Sequence, residues 1–324
     1  MIKFLFFTDT HIRTTSPSSR VDVFKDSLYE KFIEIGQIGT ENNVDFYVHG
    51  GDLFDRPDIS LLTVRNFTKV LTTYKKPIFF VPGNHDIFAY NLESLNRTVM
   101  ALLDDLGVLY TMYGHHPIYF SKGETSVQLS CAPYSYELDL EEGREGYIVK
   151  NKLADFAFHF AHGMLLDRPF EGVHHTLIDQ IKETEADVTI SGHYHTGFST
   201  KYIDGKYFAN PGSIARVAAS KFEMERMPKV LILSCSRNEG VQIKEIFLSS
   251  AKPGKDIFDR SLLEIKKREQ VTFESIKASI EEAVDNEMIS VGKIIEHIAQ
   301  IEKLDKKIID HALQLVAEVN LNES

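Results

Sequence analysis

Five short polar clusters in this sequence carry side chains suited to holding metal ions: Asp9-Thr10-His11, Gly51-Asp52, Gly83-Asn84-His85-Asp86, His162-Gly163 and Gly192-His193-Tyr194-His195. Together they offer carboxylate oxygens, imidazole nitrogens and one amide oxygen, and no thiolate. That mixture suits Mn, Fe or Zn better than Ca, which prefers all-oxygen sets, or a closed structural zinc cage, which prefers thiolates. A lone Asp-x-His is ordinary loop chemistry, but five such clusters in one chain point to a site. Asp52 is a natural carboxylate to bridge two ions. Two divalent ions roughly 3.5–4 Å apart can clamp a phosphate and ionise a water near neutral pH.

The elements that must position these residues are legible in the pattern around them. Each cluster follows a strand-like apolar run: IKFLFF, VDFYVH, PIFFVP, DFAFHFA and ADVTIS. Loops at strand ends are where rigid scaffolds present functional groups, and the glycines beside the ligands allow close approach. Helical spacing is expected over 22–42, at Phe24, Leu28, Phe32 and Ile35, over Ser60 to Tyr74, over LESLNRTVMALLDDLG up to Gly107, and over 174–184. Further strands are expected at VLY, PIYF, VQLSCAPY, KVLILS and VQIKEIFL, with a hairpin turn at Asp204-Gly205. Strands alternating with helices, then clustered strands, predict a layered α/β domain.

The composition shifts near Lys252-Pro253-Gly254, which sets expected boundaries of 1–251 for the main domain and 252–324 for a helical C-terminal region. There Ile294, Ile295, Ile298 and Ile301 share one helical face, as do Ile308, Ala312, Leu315, Val316 and Val319. These faces read as packing on each other or on the main domain, or as a surface for a partner.

In order, D-x-H, G-D, G-N-H-D, H-G and G-H-x-H form the signature set of the calcineurin-like metallophosphoesterases, which this chain resembles over roughly 1–215. The resemblance implies a four-layer α/β/β/α sandwich with a small helical appendage. It implies one metal held by Asp9, His11, Asp52 and His195, and another held by Asp52, Asn84, His162 and His193. His85 would contact the scissile phosphate and protonate the leaving oxygen, with the Asp55 carboxylate orienting it. Within the superfamily, HGGDLFDRP, PGNHD, LNRTVMALLDDLGV and NPGSIAR are similar to the SbcD-type nucleases. That likeness implies a Mn²⁺-dependent DNA exo- and endonuclease working with an SbcC-like coiled-coil ATPase, gripped through about 290–320, and a possible homodimer. A phosphatase or diesterase acting on small molecules or nucleotides is the alternative, and a non-catalytic docking subunit a third.

Bulk composition narrows these readings. With 324 residues, 43% hydrophobic, the chain can bury a sizeable core. Its net charge of −11 counts against a protein that holds nucleic acid unaided, because backbone binding relies on Lys and Arg. Bound cations and a partner would have to supply the balance. No apolar run is long enough to cross a bilayer, and the start lacks a signal-peptide pattern, so a cytoplasmic location is expected. Cys131 and Cys235, each in an apolar run, read as buried free thiols.

The remaining candidates carry less. His159, inside FAFHF, reads as core, while His49 reads equally as a support for Asp52 or as packing. His115-His116 fall in a loop, His174-His175 are expected to open a helix, and His297 and His311 read as surface or interface residues. Arg216 reads as a salt bridge ahead of a phosphate contact, and Lys266-Lys267-Arg268 as a solvated face.

Overall fold

The computed structural model describes residues 1–113 and 116–261, together with 295, 299, 304, 306 and 308–313. The chain opens with β1 (Ile2–Phe7), α1 (Phe24–Glu41), β2 (Phe46–His49), α2 (Leu61–Leu71), β3 (Ile78–Phe80), α3 (Val99–Asp105) and β4 (Tyr110–Thr111). A strand-rich stretch follows: β5 (Ile118–Lys122), β6 (Thr125–Ala132), β7 (Phe156–Ala161), β8 (Leu165–Leu166), β9 (Thr176–Leu177), β10 (Val188–Ser191), β11 (Phe198–Ile203) and β12 (Lys206–Asn210). Then come α4 (Lys221–Glu225), β13 (Lys229–Ser236), β14 (Gly240–Phe247) and α5 (Gly254–Ile257).

Two six-stranded sheets result, in the orders β14-β13-β1-β2-β3-β4 and β11-β12-β10-β7-β6-β5. β1 to β4 run parallel, and so do β6, β7, β10 and β12. The inner faces meet in an aromatic core: Phe4 stacks on Phe46 at 4.8 Å and meets Phe158 edge-on at 4.9 Å, while Phe6 stacks on Phe160 at 5.7 Å. On the other face of the first sheet, α1 buries Phe24, Leu28, Phe32, Ile35 and Ile38, and α2 buries Val64, Phe67, Val70 and Leu71. Phe24, Leu28, Phe32 and Ile35 are the positions that helical spacing singles out. Among the described residues, the outer face of the second sheet is covered by the β8–β9 pair and single 3-10 turns at Arg144–Tyr147 and Ile178–Gln180, packed around Leu138, Tyr147 and Ile181.

Two expected helices come out differently. The LESLNRTVMALLDDLG stretch is a 3-10 turn, Leu92–Arg97, followed by the shorter α3. Thr98 divides them, because its hydroxyl accepts the N–H of Met100 and so starts a new helix. No α-helix forms over 174–184: Thr176 pairs into β9 and its hydroxyl donates to Asp139 at 2.9 Å, so tertiary contacts override the local spacing. His174 and His175 therefore lie in an irregular segment. The hairpin at Asp204-Gly205 is as expected, with φ of 49° and 82° at its two central residues.

The chain divides into two compact units, Met1–Asp259 and Arg260–Ser324. The first extends beyond the composition break because Asp259 N–H donates to Ser19 O at 2.8 Å and Phe258 bridges to Arg20. In the second, residues 308–313 are helical and Ala299 is buried. Most of 290–320, with His297, Lys266-Lys267-Arg268 and also His115, lies outside the described residues. Among the described residues no helix is long and apolar enough to cross a membrane.

Candidate metal centre

All five ligand clusters lie just past the carboxyl ends of parallel strands: β1, β2 and β3 of one sheet, β7 and β10 of the other. In open α/β sheets that is where ligands are bound. The turns out of these strands are tight. Asp9 (φ 54°), His11 (43°), Asp52 (54°) and His193 (67°) all adopt left-handed backbone, which non-glycine residues take up only when held there. Gly51 is required on steric grounds as well. Its φ is 106°, and a Cβ there would strike the His162 ring.

The expected residues converge. Asp9, His11, Asp52 and His195 bring one ligand atom each within 4.8 Å of one another, and so do Asp52, His162 and His193. Asp52 belongs to both groups through a single oxygen: its Oδ2 lies 3.6 Å from His11 Nε2 and 3.3 Å from His162 Nε2. His11 Nε2 and His195 Nε2 face each other at 2.9 Å, and Asn84 Oδ1 is 3.2 Å from His162 Nε2. Asp9, His11, Asp52 and His162 are buried and form the floor, while Asn84, His85, His193 and His195 are partly exposed and form the rim.

Hydrogen bonds fix how these groups point. His162 Nδ1 donates to Gly50 O at 2.7 Å, which turns Nε2 towards Asp52. Asp9 accepts the Thr8 hydroxyl at 2.6 Å and the N–H of His193 at 3.1 Å, joining a loop of one sheet to a loop of the other. His49 Nδ1 accepts the N–H of Gly51 at 3.2 Å. Its Nε2 lies 3.1 Å from the Thr10 hydroxyl, which donates to Leu53 O. His49 thus supports the turn that carries Asp52. His159 is core: buried, with Nδ1 at 2.9 Å from the Ser130 hydroxyl.

The electrostatics call for a cation. Burial raises the Asp52 carboxyl, but the neighbouring His162 charge outweighs it and holds Asp52 well below the usual carboxylate range. Burial likewise opposes ionisation of Asp9, and its hydrogen bond with His195 wins. Among the described residues neither carboxylate has a Lys or Arg salt bridge. Burial pushes His11 down to about 3 and His193 down to about 4, which leaves both rings neutral with lone pairs available. Burial also lowers His162, but Asp52 overrides it and raises the ring to about 10. A proton on that ring occupies a position where a divalent ion would serve the same carboxylate. Paired buried carboxylates, converging imidazole nitrogens and one amide oxygen are a donor set that fits two divalent ions.

Two expectations need correcting. His85 is oriented by the main chain of Asp55, not by its carboxylate: His85 Nδ1 donates to Asp55 O at 2.8 Å. The Asp55 carboxylate lies close by but is directed to other partners, 3.4 Å from Arg13 Nη1 and 3.8 Å from His11 Nδ1. Among the described residues Arg216 makes no salt bridge. It is buried, and its guanidinium donates to the carbonyls of Arg226 and Lys252.

One positioning residue had no role in the sequence reading. Asp86 is fully buried, and its carboxylate accepts main-chain N–H groups from Asp52 at 2.7 Å, Gly83 at 2.9 Å and Leu53 at 3.1 Å. Burial, then the Asp52 charge, raises its carboxyl, while N–H groups donated to both of its oxygens favour the ionised form. The available signal was its place closing the turn Gly83-Asn84-His85-Asp86, where an Asp accepts the N–H at the turn's own start.

The model of the calcineurin-like phosphoesterase family matches residues 2–197. The chain belongs to that family. Members use a dinuclear metal site, and the clusters above could hold one. Among curated proteins, the DNA double-strand break repair protein Mre11 of Archaeoglobus fulgidus is 25% identical over 304 residues, covering 86% of this chain and 63% of that one. Mre11 of Thermoplasma acidophilum is 36% identical over 85 residues, 25% of this chain and 22% of that one. The chain thus spans less than two thirds of the length of these relatives. A solved dimetal phosphatase from Danio rerio is 11% identical, with a TM-score of 0.48 over 76% of this chain and 99% of its own.

Proposed function

We propose that the chain is a dinuclear-metal phosphodiesterase acting on DNA, the nuclease subunit of an assembly with an SbcC-like coiled-coil ATPase. The observation that carries the hydrolase reading is the Asp52 oxygen shared between the His11 and His162 sides of the centre. Asp9, His11, Asp52 and His195 would hold one ion, and Asp52, Asn84, His162 and His193 the other. Bound there, such ions supply positive charge to phosphate oxygens and lower the pKa of water. His85 stands at the rim, its ring 4.7 Å from that of His11. With Nδ1–H committed to Asp55 O, Nε2 is the nitrogen that would pass a proton to the leaving oxygen.

DNA as substrate is favoured by the similarity to proteins named for double-strand break repair, which extends over most of the chain. Mn²⁺ is the proposed metal. The partner would be gripped through 290–320, and a homodimer is proposed with it. The test is hydrolysis of linear DNA by the purified chain in Mn²⁺, run beside bis-p-nitrophenyl phosphate, with His85→Ala as control. Cleavage of both, lost in the variant, supports the nuclease. Cleavage of the small diester alone, persisting when the ATPase is added, favours a small-molecule diesterase.

A further inference from the structure

Immediately after the turn that carries Asn84 and His85, two consecutive non-glycine residues take left-handed backbone: Ala89 (φ 49°) and Tyr90 (φ 57°). Such strain persists only where the surroundings hold it. Here Phe88 N–H donates to the Ser94 hydroxyl at 2.8 Å, and Asn91 N–H donates to Phe88 O at 3.0 Å. The result is an outward tyrosine: Tyr90 is 60% exposed. Its ring nonetheless lies 5.7 Å from that of Tyr134, which lies 5.6 Å from the ring of His193 and 6.4 Å from that of His162. Tyr134 is pinned at the same place, because its N–H donates to Pro82 O at 2.9 Å, two residues before Asn84. Three rings therefore run without a break from solvent to the metal-ligand cluster.

We infer that Tyr90 and Tyr134 form a stacking subsite for an unpaired nucleobase next to the phosphodiester bound at the centre. This deepens the phosphodiesterase reading above and rests on it. Every nucleobase has a π-face, and base–aromatic stacking gives affinity without positive charge. A chain of net charge −11 has particular need of that, since it has few cations to spare for a phosphate backbone. A base within a duplex has no free face, so the subsite takes single strands or frayed ends.

The chain contains no tryptophan, so Tyr90→Trp introduces a single indole at the lip of the site. In a Tyr90→Trp, His85→Ala double variant loaded with Mn²⁺, oligothymidylate should quench that fluorescence saturably. An abasic oligomer of equal length and charge should bind about tenfold more weakly, with little quenching. Equal quenching by the two, or none by either, would overturn the subsite. A second readout separates stacking from folding. Tyr90→Ala should cut kcat/KM about tenfold on thymidine 5′-(p-nitrophenyl phosphate) and leave methyl p-nitrophenyl phosphate unchanged; equal losses on both, or none on either, would also overturn it. If the indole is quenched while the wild-type chain and its ATPase complex fail to cut DNA, the nuclease reading fails and the subsite stands. If DNA is cut without quenching, the subsite fails alone.

Discussion

The carboxylate of Asp86 accepts the main-chain N–H of Asp52 at 2.7 Å, across 34 residues of sequence. Through that bond, and those from Leu53 and Gly83, one buried side chain sets two ligand loops against each other. In return, Asp52 Oδ1 accepts the N–H of His85 at 2.8 Å. The Asp52 carboxylate and the turn that carries His85 are thus held by a connected set of hydrogen bonds.

Asp86→Asn should therefore damage the site without touching a ligand. The amide keeps one acceptor and gains a donor that faces N–H groups, leaving at least one of them unpaired. Each such loss costs about 1–3 kcal/mol. Denaturant unfolding should show a stability loss of that order, and metal analysis should show weaker retention of both ions. Full stability with full metal content would mean that Asp86 holds nothing in place.

His85→Ala should lower kcat on a phosphodiester by about 10²–10⁴-fold while metal content stays near normal. Among the described residues the ring's hydrogen bond goes to Asp55 O, and the ring packs edge-on against that of His11. Loss of both ions in the variant would show His85 to be part of the metal scaffold.

Lys31 gives a pH dependence away from the centre. It is buried on α1, with Nζ donating to Ser27 O and the Ser27 hydroxyl. Burial first, then Arg20 and Arg216, lowers its pKa from 10.5 to about 7, with Asp22 and Glu30 opposing. Between about pH 7 and 10.5 the unfolded chain binds a proton at this site that the folded chain has released. Stability from this group therefore rises with pH across that window, by up to about 1.4 kcal/mol per unit. Lys31→Met should remove that rise, with its largest gain in stability at and below about pH 7 and little gain towards pH 10.5. Parallel pH–stability curves for wild type and variant would show that Lys31 titrates normally.

Much of the centre was legible because every ligand follows a strand run directly, so side-chain type and position both show in the sequence. The strand pattern and α1 were readable for the same reason, since burial on one face imposes a period. What escaped depends on main-chain geometry or on distant partners. Asp55 acts through its carbonyl, which no residue type encodes. Asp86 serves N–H groups more than 30 residues away. Arg216, which reads as a salt-bridge partner, instead turns inward to carbonyls of the segment that follows it. The broken helix at Thr98 and the missing one at 174–184 were decided by capping and by Asp139, and periodicity registers neither.

Calorimetric titration of chelator-stripped protein with Mn²⁺ tests directly whether Asp52 joins two ions. Two ions should bind per chain in the wild type, and Asp52→Ala should weaken both together and abolish diester hydrolysis. Binding of a single ion, or two ions retained unchanged in Asp52→Ala, would contradict it.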